Sequence, residues 1–223
     1  MADLSDFPTH LVSGYRTFAT QRLPTEQSRY RELSERGQSP QVMVIGCCDS
    51  RVSPEVIFDA GPGELFVVRN VANLVPPYAP DGAAHGVSAA LEFAVQVLRV
   101  KHIVVLGHAQ CGGISALAQE DSAPLSPGDF IGRWMSLLEP TLQATPRAAD
   151  EGFAEFKTRL EKRAVSTSLA NLMTFPCVRI LAERGRLHLH GAYFGVAKGS
   201  LAVLDQASGE FHAVASQPGS TTT

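Results

Sequence analysis

Several stretches of the chain are apolar without polar alternation. Residues 42–45 (VMVI), 65–68 (LFVV) and 103–106 (IVVL) are continuous blocks rich in Val and Ile. Strands covered on both faces read this way, whereas a strand with one wet face alternates. A fourth strand is predicted over 187–193. Between the strands the period lengthens to that of a helix. Over 82–99, Val87, Leu91, Val95 and Leu98 form one stripe, and Ala90, Phe93 and Val97 widen it. That pattern predicts a largely buried helix. A longer helix is predicted over 150–173, after a proline-broken region at 122–146. Near the start, Leu11, Tyr15 and Phe18 share one face of a helix over 9–21. Pro24 is expected to interrupt it, and a second short helix is expected over 25–37. The segment 200–214, broken at 205–209, is expected to form a hairpin or a short helix with an edge strand. The tail after Gln217 is expected to be disordered.

Strands alternating with helices imply right-handed crossovers and an α/β fold. The expected architecture is a single domain with a mostly parallel central sheet flanked by helices. An N-terminal helical arm (1–37) precedes the α/β domain (38–216), and residues 217–223 form the tail. The composition fits a globular chain, at 223 residues with 44% hydrophobic and 18% charged residues. The net charge is −3, and no basic stripe appears, so nucleic acid is not an expected partner. The apolar runs are too short to span a bilayer, so no membrane is expected. The first residues, MADLSDF, carry acids where a secretion signal needs bases and an apolar core. A cytoplasmic protein with reduced cysteines is expected.

Two groups of reactive residues follow strands directly. Cys47-Cys48-Asp49-Ser50-Arg51 ends the first strand, and His108-Ala109-Gln110-Cys111-Gly112-Gly113 ends the third. In an open parallel sheet, ligands bind at the carboxyl ends of strands, where neighbouring crossovers diverge. If strands one and three are neighbours, both groups meet in one crevice. Zinc accounts for the set: Cys47, His108 and Cys111 offer two thiolates and an imidazole. The fourth candidate is Cys48 or Asp49. Alternation puts Cys47 and Asp49 on one side and Cys48 on the other, so Cys48 reads as a packing cysteine. Arg51 is a natural partner for Asp49, and such a pair leaves the fourth position open for water. Gly112 and Gly113 let the backbone come close to the metal.

These residues resemble the beta-class carbonic anhydrases. The family's C-x-D-S-R motif stands as Cys47 to Arg51, and its H-x-x-C-G-G motif as His108 to Gly113. The segment PGELFVVRNVANLVPP (62–77) and the helix AALEFAV (89–95) are also similar to that family. The resemblance implies reversible hydration of CO2 to bicarbonate and a proton by zinc-bound hydroxide, with one zinc per chain on Cys47, His108 and Cys111. It makes Asp49 and Arg51 the catalytic dyad. It assigns Gln38, Phe66, Val71, Phe93 and Gly112 to the substrate pocket. One kind of beta-class enzyme is closed by its own Asp and carries a Trp three residues before the first Cys ligand; here that residue is Val44. The open, plant-like kind has a Gln nine residues before it, matched here by Gln38. Phe93 departs from the Tyr often found in plant-like enzymes and removes a hydroxyl. The resemblance further implies a homodimer or tetramer, with the N-terminal helices embracing the neighbouring subunit. His85 is a candidate proton shuttle, since imidazole titrates near neutrality. His102, His188 and His190, in or beside strands, read as structural. A zinc-stabilised binding protein and a redox switch at Cys47–Cys48 are the competing readings; intact Asp49, Arg51 and Gln38 favour the enzyme.

Overall fold

A computed structural model describes residues 6–119 and 124–215. Its centre is a six-stranded sheet in the order β2-β1-β3-β4-β5-β6. The strands are β1 (Val42–Cys47), β2 (Leu65–Asn70), β3 (His102–His108), β4 (His188–Gly195), β5 (Ser200–Leu204) and β6 (Phe211–Ala213). The first four in spatial order are parallel, and β5 and β6 close the sheet as an antiparallel hairpin. The expected hairpin is therefore the form taken by 200–214.

Helices α1 (Thr9–Thr17) and α2 (Leu23–Arg36) form the arm, α3 (Pro54–Ile57) follows β1, and α4 (Gly86–Glu92) precedes β3. The short helices α5 (Gly112–Leu117), α6 (Phe130–Met135) and α7 (Glu139–Gln143) lead to α8 (Phe153–Leu172) and α9 (Pro176–Glu183). Met43, Ile45, Ile103 and Val105 project from one sheet face onto Leu91 and Val95 of the α4 region and Val165, Leu169 and Leu172 of α8. Gly107 permits the close seating of α8, since a Cβ there would stand 2.6 Å from Val165 Cγ2. On the other face Val44, Leu106 and Ala192 form a smaller cluster.

Three expectations change. Pro24 does not break the arm. A π-helical turn over Phe18–Arg22 joins α1 to α2, with Leu23 N–H bonded to Phe18 O. The proline falls in the first turn of α2, where a missing N–H costs least. The helix expected over 82–99 begins at Gly86 and widens into a π-helical stretch at Phe93–Leu98. Its widened flank is not buried: Phe93 and Val97 are exposed. The helix α9 was not anticipated. Residues 217–223, expected to be disordered, lie outside the described residues. Among the described residues, no single helix is long and apolar enough to cross a membrane. The arm rests lightly on its own domain, through Arg29 Nε to Pro62 O at 3.3 Å and Leu33 against Gly63. Leu11 and Tyr15 stay 50% and 67% exposed.

Candidate active site

Strand order decides the site. After β1 the chain crosses to β2 on one side; after β2 it returns past β1 to β3 on the other. The gap between the carboxyl ends of β1 and β3 is thus the crevice where the connections diverge. Cys47 is the last residue of β1, His108 the last of β3, and Cys111 caps α5. All three are buried, and their ligand atoms lie within 4.8 Å of one another. His108 Nδ1 bonds to Ala109 O at 2.9 Å, which leaves Nε2 as the free lone pair. That Nε2 is buried without any hydrogen-bond partner. A buried polar atom left unpaired costs about 1–3 kcal/mol, and zinc on an imidazole and two sulfurs removes the cost. The donor set fits zinc.

The Cys47 and Cys111 thiols share a hydrogen bond. A hydrogen bond from the Cys111 thiol, together with the N–H groups of Asp49 and Ala72, favours the Cys47 thiolate, while burial opposes it. Ala72 reaches that position in a left-handed conformation, φ 63°. Asn70 pins the turn: its side chain bonds Leu74 N–H at 2.8 Å and Leu74 O at 2.9 Å.

Asp49 is locked by Arg51. Arg51 Nε donates to Oδ1 at 2.9 Å, a terminal nitrogen donates to Oδ2 at 2.7 Å, and Arg51 N–H donates to Oδ1 at 3.0 Å. The same terminal nitrogen reaches Gln110 O at 3.1 Å, tying the first loop to the second. This guanidinium holds the Asp49 carboxyl well below the usual carboxylate range. Arg69, not among the predicted site residues, braces the loop from β2 with bonds to Cys47 O at 2.8 Å and Asp49 O at 2.7 Å. Its signal was a lone charge at the end of an apolar strand.

Glu161 was missed as well. It is 2% exposed on α8, accepting from Cys111 N–H at 3.0 Å and from the Tyr193 hydroxyl at 2.6 Å. Its trace in the sequence is a charge inside the buried stripe Phe156, Leu160, Ala164, Val165. Glu161→Ala is expected to destabilise the fold by about 1–3 kcal/mol, because two buried donors lose their acceptor. It is also expected to weaken zinc retention about 10–100-fold. Glu161→Gln keeps an oxygen for Cys111 and an amide for Tyr193, and is expected to recover most of both. Urea unfolding and zinc loss to a chelator measure the two effects.

The remaining predicted residues divide by location. Val71 is at the metal end: it packs on Gly113, where an added Cβ would stand 2.7 Å from Val71 Cγ1, and Trp134 Nε1 holds its carbonyl at 2.8 Å. Gly113 therefore serves helix seating, and a Cβ on Gly112 would meet open space. Phe66 and Phe93 pair with each other, ring centres 6.0 Å apart. Phe66 is level with Met43, four residues before Cys47, about 13 Å down the strand. Gln38 is exposed before the start of β1, at the opposite end of that strand from Cys47. Cys48 is exposed, not packed: its N–H bonds Asn70 O as the chain leaves the sheet, and its side chain turns to solvent. His85 Nε2 bonds Asp81 Oδ1 at 2.7 Å on an exposed loop.

Comparison with known proteins agrees with this geometry. The family model described as carbonic anhydrase matches residues 42–201. Beta carbonic anhydrase 3 of Arabidopsis thaliana is 38% identical over 198 residues, covering 87% of this chain and 76% of that protein. The solved beta-carbonic anhydrase CcaA superposes with a TM-score of 0.81 at 29% identity, covering 94% of this chain and 92% of the other. A tetrameric beta-carbonic anhydrase of the ascomycete Sordaria macrospora gives a TM-score of 0.72 at 30% identity, covering 88% and 95%. With the Cys47–His108–Cys111 zinc site in place at the switch point of the sheet, the chain belongs to the carbonic anhydrase family, in its beta class, and hydrates CO2.

Proposed function

We infer that this enzyme works in the open, plant-like form, with Asp49 held off the metal by Arg51 and the fourth zinc position free of protein. The observation that carries this reading is the pair of hydrogen bonds that the Arg51 guanidinium donates to the two Asp49 carboxylate oxygens, with Gln110 O accepting from the same guanidinium. Turning Asp49 toward the metal breaks both of its bonds to the guanidinium at once. Val44, where closed enzymes carry Trp, supports the same form.

When bound, zinc supplies Lewis acidity that makes hydroxide available from water near neutral pH. Asp49 stays ionised, accepts a hydrogen bond from the attacking oxygen and aims its lone pair at CO2. Arg51 keeps the carboxylate in that pose. Val71 offers CO2 an apolar wall. Gly112 N–H, in the first turn of α5, has no partner within the helix and is free for bicarbonate. A crystal structure of the zinc-loaded enzyme at neutral pH tests the form. Asp49 is expected on Arg51, and Asp49 on zinc places the enzyme in the closed kind.

The functional unit is a dimer or a dimer of dimers. Gln38, Phe66 and Phe93 stand far from their own metal, and Phe93 is 44% exposed. A second subunit brings them to the zinc, and its surface covers the Leu11 and Tyr15 face of the arm. The tetrameric relative of Sordaria macrospora supports this assembly. Co-expressing two weak variants, Cys47→Ala and Gln38→Ala, tests it. In a mixed dimer one site joins an intact metal to the partner subunit's intact Gln38. Random pairing is expected to restore about one quarter of wild-type activity. Activity no higher than half that of the Gln38→Ala parent puts Gln38 in its own subunit's site.

A further inference from the structure

Three imidazoles gather on the sheet far from the active site. His102 opens β3, and His188 and His190 stand two residues apart near the start of β4. Alternation along a strand puts His188 and His190 on the same face. Register puts His102 directly beside His188 and diagonal to His190. The His102 ring lies 5.3 Å from that of His188 and 5.2 Å from that of His190. His102 Nδ1 and His190 Nε2 are 3.1 Å apart. Among the described residues, no carboxylate pairs with any of these rings.

We propose that His102, His188 and His190 form a second metal site, for a borderline divalent cation such as Zn2+ or Ni2+. Two nitrogens on one ion at about 2.0–2.1 Å stand roughly 2.9 Å apart in square-planar geometry and about 3.4 Å apart in tetrahedral geometry. The observed 3.1 Å falls between the two. His102 and His190 are thus already spaced as a chelating pair, and the partly buried positions of both limit their freedom. His188 is exposed and stacked on His102, so its ring swings without disturbing the core to become the third ligand. The hydrogen shared between His102 and His190 moves to the far nitrogen of its own ring as the ion enters. With neutral rings no proton is released. Burial, and then the neighbouring His102 and His188, push the His190 pKa below its usual value and favour that neutral form. His102 and the zinc ligand His108 occupy opposite ends of β3, about 20 Å apart. The second site therefore fills independently of the first.

The test uses the zinc-loaded, tag-free enzyme dialysed against Ni2+ at neutral pH, with both metals counted by mass spectrometry. The wild type is expected to keep its one zinc and to take up about one nickel per chain, as a single extra site requires. The double variant His188→Gln/His190→Gln is expected to bind nickel at least tenfold more weakly. Its CO2 hydration is expected to be unchanged, which shows it folded. Paramagnetic broadening by Ni2+ is expected on the ring signals of His102, His188 and His190, and not on those of His85 and His212. No nickel uptake by the wild type overturns the site and leaves the trio as a packed stack. Uptake unaffected by the double variant, or broadening centred on other histidines, overturns it too.

Discussion

Alanine at Cys47 is expected to remove zinc and CO2 hydration together. Cys47 supplies one of the three donors, and its sulfur is the thiolate that the Cys111 thiol and two backbone N–H groups converge on. The two donors left are too few to hold zinc against the protein's surroundings. Zinc content is expected to fall from about one per chain to less than about a tenth, and the rate to the uncatalysed background. The fold also loses a buried side chain, at a cost of about 1 kcal/mol, so the variant remains folded. Cys48→Ala is the matched control. Its thiol is exposed and lies outside the donor cluster, so zinc and rate are both expected to survive. Elemental analysis and stopped-flow hydration on the same samples decide the matter. A Cys47→Ala protein with full zinc and normal turnover sinks the ligand assignment.

Arg51→Ala is expected to cut turnover about 100-fold or more while zinc stays bound, since small misplacement of a catalytic group has effects of that size. The cause is position, not ionisation. Arg51 depresses the Asp49 pKa in the folded protein. A depressed carboxyl contributes stability above its unfolded pKa, and that contribution is lost as pH falls toward the folded value. Without Arg51 the carboxyl returns toward about 3.9 and is still ionised at neutral pH. Raising the pH therefore does not rescue the variant. Its crystal structure is expected to show Asp49 turned onto the metal, closing the position that substrate chemistry needs. Asp49→Ala is expected to keep zinc and lose rate with that position left open. Arg51→Lys cannot span both carboxylate oxygens and Gln110 O, and is expected to recover only part of the rate. The wild type is expected to gain activity as pH rises above about 7, because two thiolates blunt the acidity of the zinc relative to three neutral imidazoles. A flat pH–rate profile contradicts the charge argument, and full activity in Arg51→Ala removes the dyad's role.

Local chemistry made much of this protein readable. The strands at 42–47, 65–70 and 102–108 are covered on both faces, so they carry no polar alternation and stand out as apolar blocks. The zinc donors fall at the ends of two of those blocks, and they meet because the strand order makes those two strands neighbours. The dyad was legible because Asp49 and Arg51 are two residues apart and can pair within one turn. Local pattern therefore determined the fold class and the candidate metal donors, while the reaction came from the resemblance of the two motifs at Cys47–Arg51 and His108–Gly113 to a known family.

Tertiary structure decided what depends on residues distant in the chain. Glu161 is 50 positions from Cys111, and only the seating of α8 against β3 turns a charge in an apolar stripe into the acceptor for a ligand loop. Arg69 braces Cys47 and Asp49 because β2 lies beside β1, a pairing that no local pattern states. Pro24 continued the arm because a π-helical turn absorbed it, an outcome set by backbone bonds that composition does not encode. Phe93 carries the spacing of a core residue, yet its own domain leaves it exposed, since periodicity reports which residues share a face and not what covers that face. The three histidines are 88 positions apart at their widest and meet only through the register of β3 on β4. Hydrophobic period and short motifs are local quantities, whereas burial, register and the partner of a side chain are properties of the packed whole.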